Sequence, residues 1–279
     1  MQMQITCNNT TFDLKNPIIM GILNITPDSF YDGGKYKNEQ DILDVVQKML
    51  DEGAKIIDIG AYSSRPNARH INEEEELTRL IPIVKLLKKS FENITLSVDT
   101  FRAKVAQKAV EAGTCIINDI SAFSIDNALL DIVAQNNTPY VLMHMQGKPQ
   151  NMQENPQYKD VVQEVKDFFT EKIALLHKKG ITNIILDVGF GFGKSVKHNY
   201  QLLNHLDEFK SFELPMLVGI SRKSMLYKPM SKRPLDMLNA TTVANSIALG
   251  KGANILRVHD VKEAQEAIAI YGFLKESEE

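Results

Sequence analysis

Acids and cations in this chain stand at the ends of apolar, β-branched runs. Asp99 closes the run 94–98, Asn118 and Asp119 close 115–117, and Asp187 closes 184–186. Ser221-Arg222-Lys223 follows 216–220, Arg257 interrupts 255–258, and His259-Asp260 closes that run. Three more runs behave alike: 18–23 ends at Asn24, 140–143 ends at His144, and 55–59 opens onto Gly60-Ala61-Tyr62-Ser63-Ser64-Arg65-Pro66. Carboxylates held together suit a ligand edge rich in N–H donors, and cations held beside them suit an anion. The layout predicts a bipolar substrate, with an amidine- or guanidine-like ring and an anionic tail. The competing reading is internal salt bridges across the mouth of the same cavity. So many ionisable groups at run ends favour a site.

Eight such runs alternate with helical patterns. Continuous Val/Ile/Leu runs are the mark of buried parallel strands. Their alternation with helices predicts an α/β fold, a (β/α)8 TIM barrel, with its chemistry at the strand C-termini. Helices are expected near 38–52, 73–90, 102–112, 126–136, 158–179, 198–209, 236–250 and 260–275, on apolar spacing such as Val161, Val165, Phe168, Phe169, Ile173 and Leu176. Asn72 before Glu73–Glu76 reads as an N-cap followed by a solvated acidic first turn. Residues 1–14 read as a β-hairpin around Asn8-Asn9 that plugs the barrel bottom. The whole chain, 1–279, is expected to be one domain. The connections 25–38 and 62–71 exceed the usual ~4–6 residues and lie at the chemical end, so both are expected to act as lids.

The 279 residues carry 32 basic and 35 acidic side chains, a net charge of −3. That balance offers no bulk attraction to nucleic acid or to an anionic membrane. No apolar run approaches the ~20 residues of a membrane span, and the polar residues 1–6 predict no signal peptide. The 2 cysteines, Cys7 and Cys115, are read as unpaired thiols suited to a reducing cytoplasm.

Two tempting motifs fail. Gly189-Phe190-Gly191-Phe192-Gly193-Lys194-Ser195 follows a strand, but a P-loop needs glycine where Val188 stands. The dinucleotide spacing fails too, because Gly193 comes one residue early. The glycines are read as permitting a tight turn, with Phe190 and Phe192 given to a ligand or to packing. A metal-hydrolase barrel needs a histidine pair at the first strand end, where Leu23-Asn24 stands. His70, His177, His198 and His205 fall in loops or helices; His144 is left between a site role and a backbone hydrogen bond.

Taken in order, several blocks resemble dihydropteroate synthase. The first is Gly21-Ile22-Leu23-Asn24-Ile25-Thr26-Pro27-Asp28-Ser29-Phe30 with Asp32-Gly33-Gly34. Ser63-Ser64-Arg65-Pro66, Ser97-Val98-Asp99-Thr100, Asn118-Asp119-Ile120 and Leu142-Met143-His144-Met145-Gln146-Gly147 follow. Leu186-Asp187, the 189–194 glycine block, Gly219-Ile220-Ser221-Arg222-Lys223-Ser224 and Arg257-Val258-His259-Asp260 complete it. The chain departs from the family at Tyr62, Ser64, Asn67 and Val188, which bears on loop detail.

The resemblance implies condensation of 6-hydroxymethyl-7,8-dihydropterin pyrophosphate with p-aminobenzoate, giving 7,8-dihydropteroate and pyrophosphate. It implies that Asp99, Asn118, Asp187, Lys223 and Met143 bind the pterin. Asn24, Ser64, Arg65, Arg257 and His259 would bind the pyrophosphate, with Asn24 a ligand to Mg²⁺. Phe30, Pro66, Phe192 and Ser224 would line the p-aminobenzoate pocket. Lys223, Arg257, His259 and Asp99 would carry the catalysis. A cytoplasmic homodimer formed through the late barrel helices and inhibition by sulfonamides are also implied. Two alternatives share the fold: a pterin-dependent methyltransferase acting on methyltetrahydrofolate, and a non-catalytic pterin-binding paralogue. The methyltransferase has no need of Ser221-Arg222-Lys223 or of an anion site, and the paralogue would be expected to have lost Asn24, Lys223 or Arg257. A phosphosugar barrel fits the anion site but not the central acids.

Overall fold

A computed structural model describes residues 3–7, 10–25, 38–63, 69–149 and 151–277. The Asn8-Asn9 turn and most of both long connections lie outside the described residues, with Phe30, Ser64, Arg65, Pro66 and Asn67 among them. An antiparallel pair, β1 (Gln4–Cys7) and β2 (Thr10–Asp13), precedes the barrel. The barrel strands are β3 (Ile18–Asn24), β4 (Ile56–Gly60), β5 (Leu96–Asp99), β6 (Ile116–Asp119), β7 (Tyr140–Met143), β8 (Ile184–Asp187), β9 (Met216–Val218) and β10 (Ile255–Val258). All neighbours are parallel, and β10 pairs with β3 to close the ring. Around it lie α1 (Glu39–Asp51), α2 (Glu73–Ser90), α3 (Ala103–Glu111), α4 (Leu129–Asn136), α5 (Val161–Lys178), α6 (Val196–Asn204), α7 (Ser224–Tyr227), α8 (Leu238–Gly250) and α9 (Val261–Glu276).

Strand alternation explains where the site must be. Side chains two apart share a face. One buried cluster holds Met20, Ile56, Ile116, Val141, Ile185, Leu217 and Ile255, one from nearly every barrel strand. The hairpin side chains Ile5, Cys7 and Leu14 pack against them as the barrel floor. Full burial of each such aliphatic side chain is worth about 1.5–3 kcal/mol. Two residues further up the same strands stand Asp58, Asn118, Met143, Asp187, Gly219 and Arg257. The alternate face, including Ile57, Val98, Ile117, Leu142, Leu186, Val218 and Leu256, packs outward into the main core.

Three expectations change. Cys7 and Cys115 are not free thiols but a disulfide, with Cα atoms 5.4 Å apart. Folding the hairpin under the barrel brings Cys7, at the end of β1, against Cys115, at the start of β6, across 108 residues of chain. Glu76 is not part of a solvated turn: it is buried, accepts from Thr100 Oγ1 at 2.7 Å, and pairs with Arg102. The cap itself is as expected, with Asn72 accepting from the Glu75 N–H at 2.8 Å. The expected helix at 198–209 is two pieces, because α6 ends at Asn204 with His205 as its C-cap, and a 3-10 helix covers Leu206–Phe212.

Candidate active site

The β8 end is shaped by its glycines. Gly189 and Gly193 have φ of +69° and +60°, and an added Cβ would strike the carbonyl oxygens of His144 at 1.9 Å and Gln146 at 2.3 Å. Only glycine allows so tight a turn against the β7 loop. The turn delivers the Gly189 N–H to Asp187 Oδ1 at 2.8 Å. It also presents the Phe190 carbonyl to Lys223 Nζ at 2.6 Å. The two phenylalanines divide the roles: Phe190 is fully buried in the core, whereas the Phe192 ring lies 4.6 Å from Lys223 Nζ in a cation–π contact.

Across the barrel, Arg257 is shared by two carboxylates. Its Nε donates to Asp58 Oδ2 at 2.6 Å and its Nη2 to Asp99 Oδ2 at 3.0 Å. Asn118 Nδ2 donates to the same Asp58 oxygen at 3.0 Å. Two of Arg257's five N–H donors are used in these bonds. Asp58 is the functional residue that sequence reasoning missed. Its signal was a carboxylate inside the apolar run 55–59, at a position that alternation turns inward.

Charge and burial set the titration of these groups. Burial raises Asp99 to about 7; Arg257 opposes the shift and Asp58 adds to it. Burial lowers Lys223 to about 8, against the pull of Asp187. Asp187 is raised by burial, with Lys223 opposing. Burial works against the Arg257 cation, yet Asp58 and Asp99 hold it above its ordinary value.

Above the floor a second apolar group forms. Phe101, Ile120 and Met143 are buried together, with Tyr62, Met145 and Phe192 packed against them. This gives an apolar, partly aromatic group beside Asp187, with which Met143 is in register on the neighbouring strand. Asn24 and Asp99 meet over Gly60, where an added Cβ would lie 3.6 Å from Asn24 Oδ1 and 3.6 Å from Asp99 Cβ. Ser224 opens α7 immediately after Lys223. His259 engages Ser221, through Nδ1 to Oγ at 2.9 Å and through its backbone N–H to the same Oγ at 3.2 Å.

Two polar residues grouped with the rim by sequence serve the fold instead. Asp119 points outward by alternation; it accepts from the Ser121 and Phe123 N–H groups and from Tyr140 Oη at 2.6 Å. Arg222 makes a two-pronged ion pair with Asp260, at 2.9 and 2.6 Å, and ties the β9 end to the start of α9. His144 is buried, and its Nδ1 lies 2.9 Å from Lys194 Nζ, so it does more than bond to backbone.

A closed barrel thus gathers inward acids, an amide and cations at its C-terminal rim. The pterin-binding enzyme family matches residues 20–259. Dihydropteroate synthase of Escherichia coli K12 is 45% identical over 270 residues, covering 96% of this chain and 95% of that protein. A Yersinia pestis dihydropteroate synthase structure with a sulfonamide drug complex superposes with a TM-score of 0.93 at 44% identity, covering 98% of this chain and 100% of that one. The Xanthomonas albilineans enzyme in complex with 7,8-dihydropteroate gives 0.87 at 36% identity, covering 98% of each chain. The chain belongs to the pterin-binding enzyme family, in its dihydropteroate synthase branch.

Proposed function

We propose that this chain joins 6-hydroxymethyl-7,8-dihydropterin pyrophosphate to p-aminobenzoate, releasing pyrophosphate. The observation that carries the reading is the placement of Arg257 between Asp58 and Asp99, on the same rim as Asp187 and Lys223. One barrel mouth thus offers acceptors for a heterocycle's N–H edge and donors for an anion.

Asp187, Asp99 and Asn118 hold the pterin ring, and Lys223 donates to its acceptors from beside Phe192. Met143, with Phe101 and Ile120, supplies an apolar surface for the ring. Arg257 and His259 draw the diphosphate, together with Ser64 and Arg65. Carbon–oxygen cleavage runs ahead of attack, because the pterin delocalises a cation at its exocyclic methylene, and the p-aminobenzoate nitrogen then attacks that carbon. The bonding pair leaves on the diphosphate oxygen, and the new ammonium then gives its extra proton to water. The arylamine is already neutral and nucleophilic at pH 7, so stabilising the departing charge is the main catalytic task. Phe30, Pro66, Phe192 and Ser224 shape the p-aminobenzoate pocket, and the connections 25–38 and 62–71 exclude competing water.

A Mg²⁺ ion fits this donor set. Among the described residues no group of three or more His, Cys, Asp or Glu could hold a metal, whereas Asn24 offers one neutral carbonyl oxygen on the rim. Mg²⁺ commonly takes one or two protein ligands and fills its shell with phosphate oxygens and water. Asn24 would hold it beside the diphosphate, where the ion supplies charge neutralisation for the leaving group.

A homodimer is part of the same reading. Val243 and Ile247 on α8, with Ile270, Phe273 and Leu274 on α9, are exposed on two helices packed side by side. Burying such a patch against a second copy removes apolar area from water. Among the described residues no helix is long and apolar enough to cross a membrane. A cytoplasmic location rests on the reaction, because a diphosphate ester does not cross a bilayer unaided; the cysteine pairing removes the support that free thiols offered. Incubation of the protein with the pterin pyrophosphate and radiolabelled p-aminobenzoate, with and without Mg²⁺, tests the proposal. Label enters dihydropteroate, more slowly without the ion; no labelled product overturns the reading.

A further inference from the structure

Lys194 is a buried lysine, 2% exposed, that takes no part in the chemistry proposed above. Its Nζ lies 3.0 Å from the Gly189 carbonyl oxygen, 3.0 Å from that of Phe192 and 3.1 Å from that of His144. The fourth contact is His144 Nδ1, at 2.9 Å. Three of the four are carbonyls, so the nitrogen acts as donor. Burial, then Lys194 itself, pushes His144 well below its ordinary value, so the imidazole is neutral and Nδ1 can accept. One nitrogen therefore joins both ends of the 189–193 turn to the end of β7.

The turn has further ties. The Gly191 N–H donates to Asn199 Oδ1 at 2.6 Å, and Tyr158 Oη donates to the Gly193 carbonyl at 2.8 Å. These bonds hold the outer flank. Lys194 reaches the carbonyls of Gly189 and Phe192, the residues on either side of the Phe190-Gly191 tip, and shares the Gly189 carbonyl with the Phe192 N–H, which donates to it at 3.0 Å. That tip supplies the carbonyl that Lys223 donates to, and the turn's first residue supplies the N–H that Asp187 accepts.

We propose that Lys194 is a positioning residue for the pterin half of the site. By gathering the carbonyls of the 189–193 turn against His144, it keeps Asp187 and Lys223 aimed at the ring without touching substrate. The inference rests on the reading that Asp187 and Lys223 hold the pterin. It also predicts different effects on the two ligands, because the Arg257 guanidinium takes its ion pairs from Asp58 on β4 and Asp99 on β5 rather than from this turn, although its stem and Lys223 Nζ both approach Gly219.

The test is Lys194→Met, which keeps the chain's bulk and removes the donor. Calorimetric titrations with 6-hydroxymethyl-7,8-dihydropterin and, separately, with inorganic pyrophosphate give the readout. Pterin affinity should fall at least tenfold while pyrophosphate affinity stays within twofold. Unchanged pterin binding overturns the proposal, and so does an equal loss of both ligands, which marks a general structural role. Should Lys194→Met not fold, His144→Leu decides, since it removes one acceptor and leaves the amine in place. It should weaken pterin about threefold and leave pyrophosphate unchanged; unaltered pterin binding there overturns the role. Lys223→Ala is the control on the underlying reading. If that variant binds pterin as the parent does, the placement of the pterin itself falls. If it loses pterin while Lys194→Met does not, only the positioning role falls.

Discussion

Arg257 Nε donates to Asp58 Oδ2 at 2.6 Å, between two strands joined through β3, and Asp58 is fully buried. The cation proposed to draw the diphosphate is thus fixed by a buried carboxylate, which also takes the Asn118 amide. A buried guanidinium needs such a partner, since an unpaired charge in a barrel interior is costly.

Removing that partner should therefore cost stability as well as activity. Breaking a buried pair from one side typically costs about 3–5 kcal/mol. Asp58→Ala is expected to lose an amount of that order in urea unfolding, and Asp58→Asn less. An Asp58→Ala protein as stable as the parent would mean that Arg257 finds another partner.

Arg257→Ala should slow product formation by more than tenfold. One preorganised donor to a developing anion is worth roughly 2.7–4 kcal/mol. Steady-state rates at saturating substrates measure this, and a near-parental rate would remove Arg257 from the mechanism.

Asp187→Ala should cripple pterin binding. A hydrogen bond to a charged group contributes about 1.5–3 kcal/mol, and this carboxylate offers two acceptors. Calorimetry with the dihydropterin measures the loss; tight binding by the variant would contradict the assignment.

The pH profile of kcat/KM should be bell-shaped. Asp99, raised by burial to about 7, accepts only when ionised, so activity rises with pH through that value. Lys223, lowered by burial to about 8, donates most strongly when protonated, so activity falls above it. Asp99→Asn should flatten the acid limb and Lys223→Gln the basic limb in whatever activity remains. A parent profile flat across neutral pH would exclude both roles.

Phe273→Glu combined with Ile247→Glu should convert a dimer to a monomer, as read by sedimentation, because the α8–α9 face would then carry charge where apolar area was buried. A parent protein that is already monomeric, or a variant that stays dimeric, would move the interface elsewhere.

The order of apolar runs and their closing residues was enough to read the barrel, the hairpin beneath it and the polar rim at the strand C-termini. Parallel strands buried on both faces cannot hide their Val/Ile/Leu pattern. The same order put Asp99, Asn118, Asp187, Lys223 and Arg257 at or beside strand ends, because a strand's end is visible wherever an apolar run stops. Direction was harder to read. Asp119 follows Asn118 by one residue, and a period of two sends it outward to Tyr140. Arg222 precedes Lys223 and turns away to Asp260. Asp58 lay unremarked inside an apolar run, since its role exists only once closure brings β10 near β4. The Cys7–Cys115 pair and the Lys194 cradle also join residues far apart along the chain. Local periodicity records which residues share a face. Only closure of the ring decides which faces meet, because those contacts depend on register and curvature summed over all eight strands.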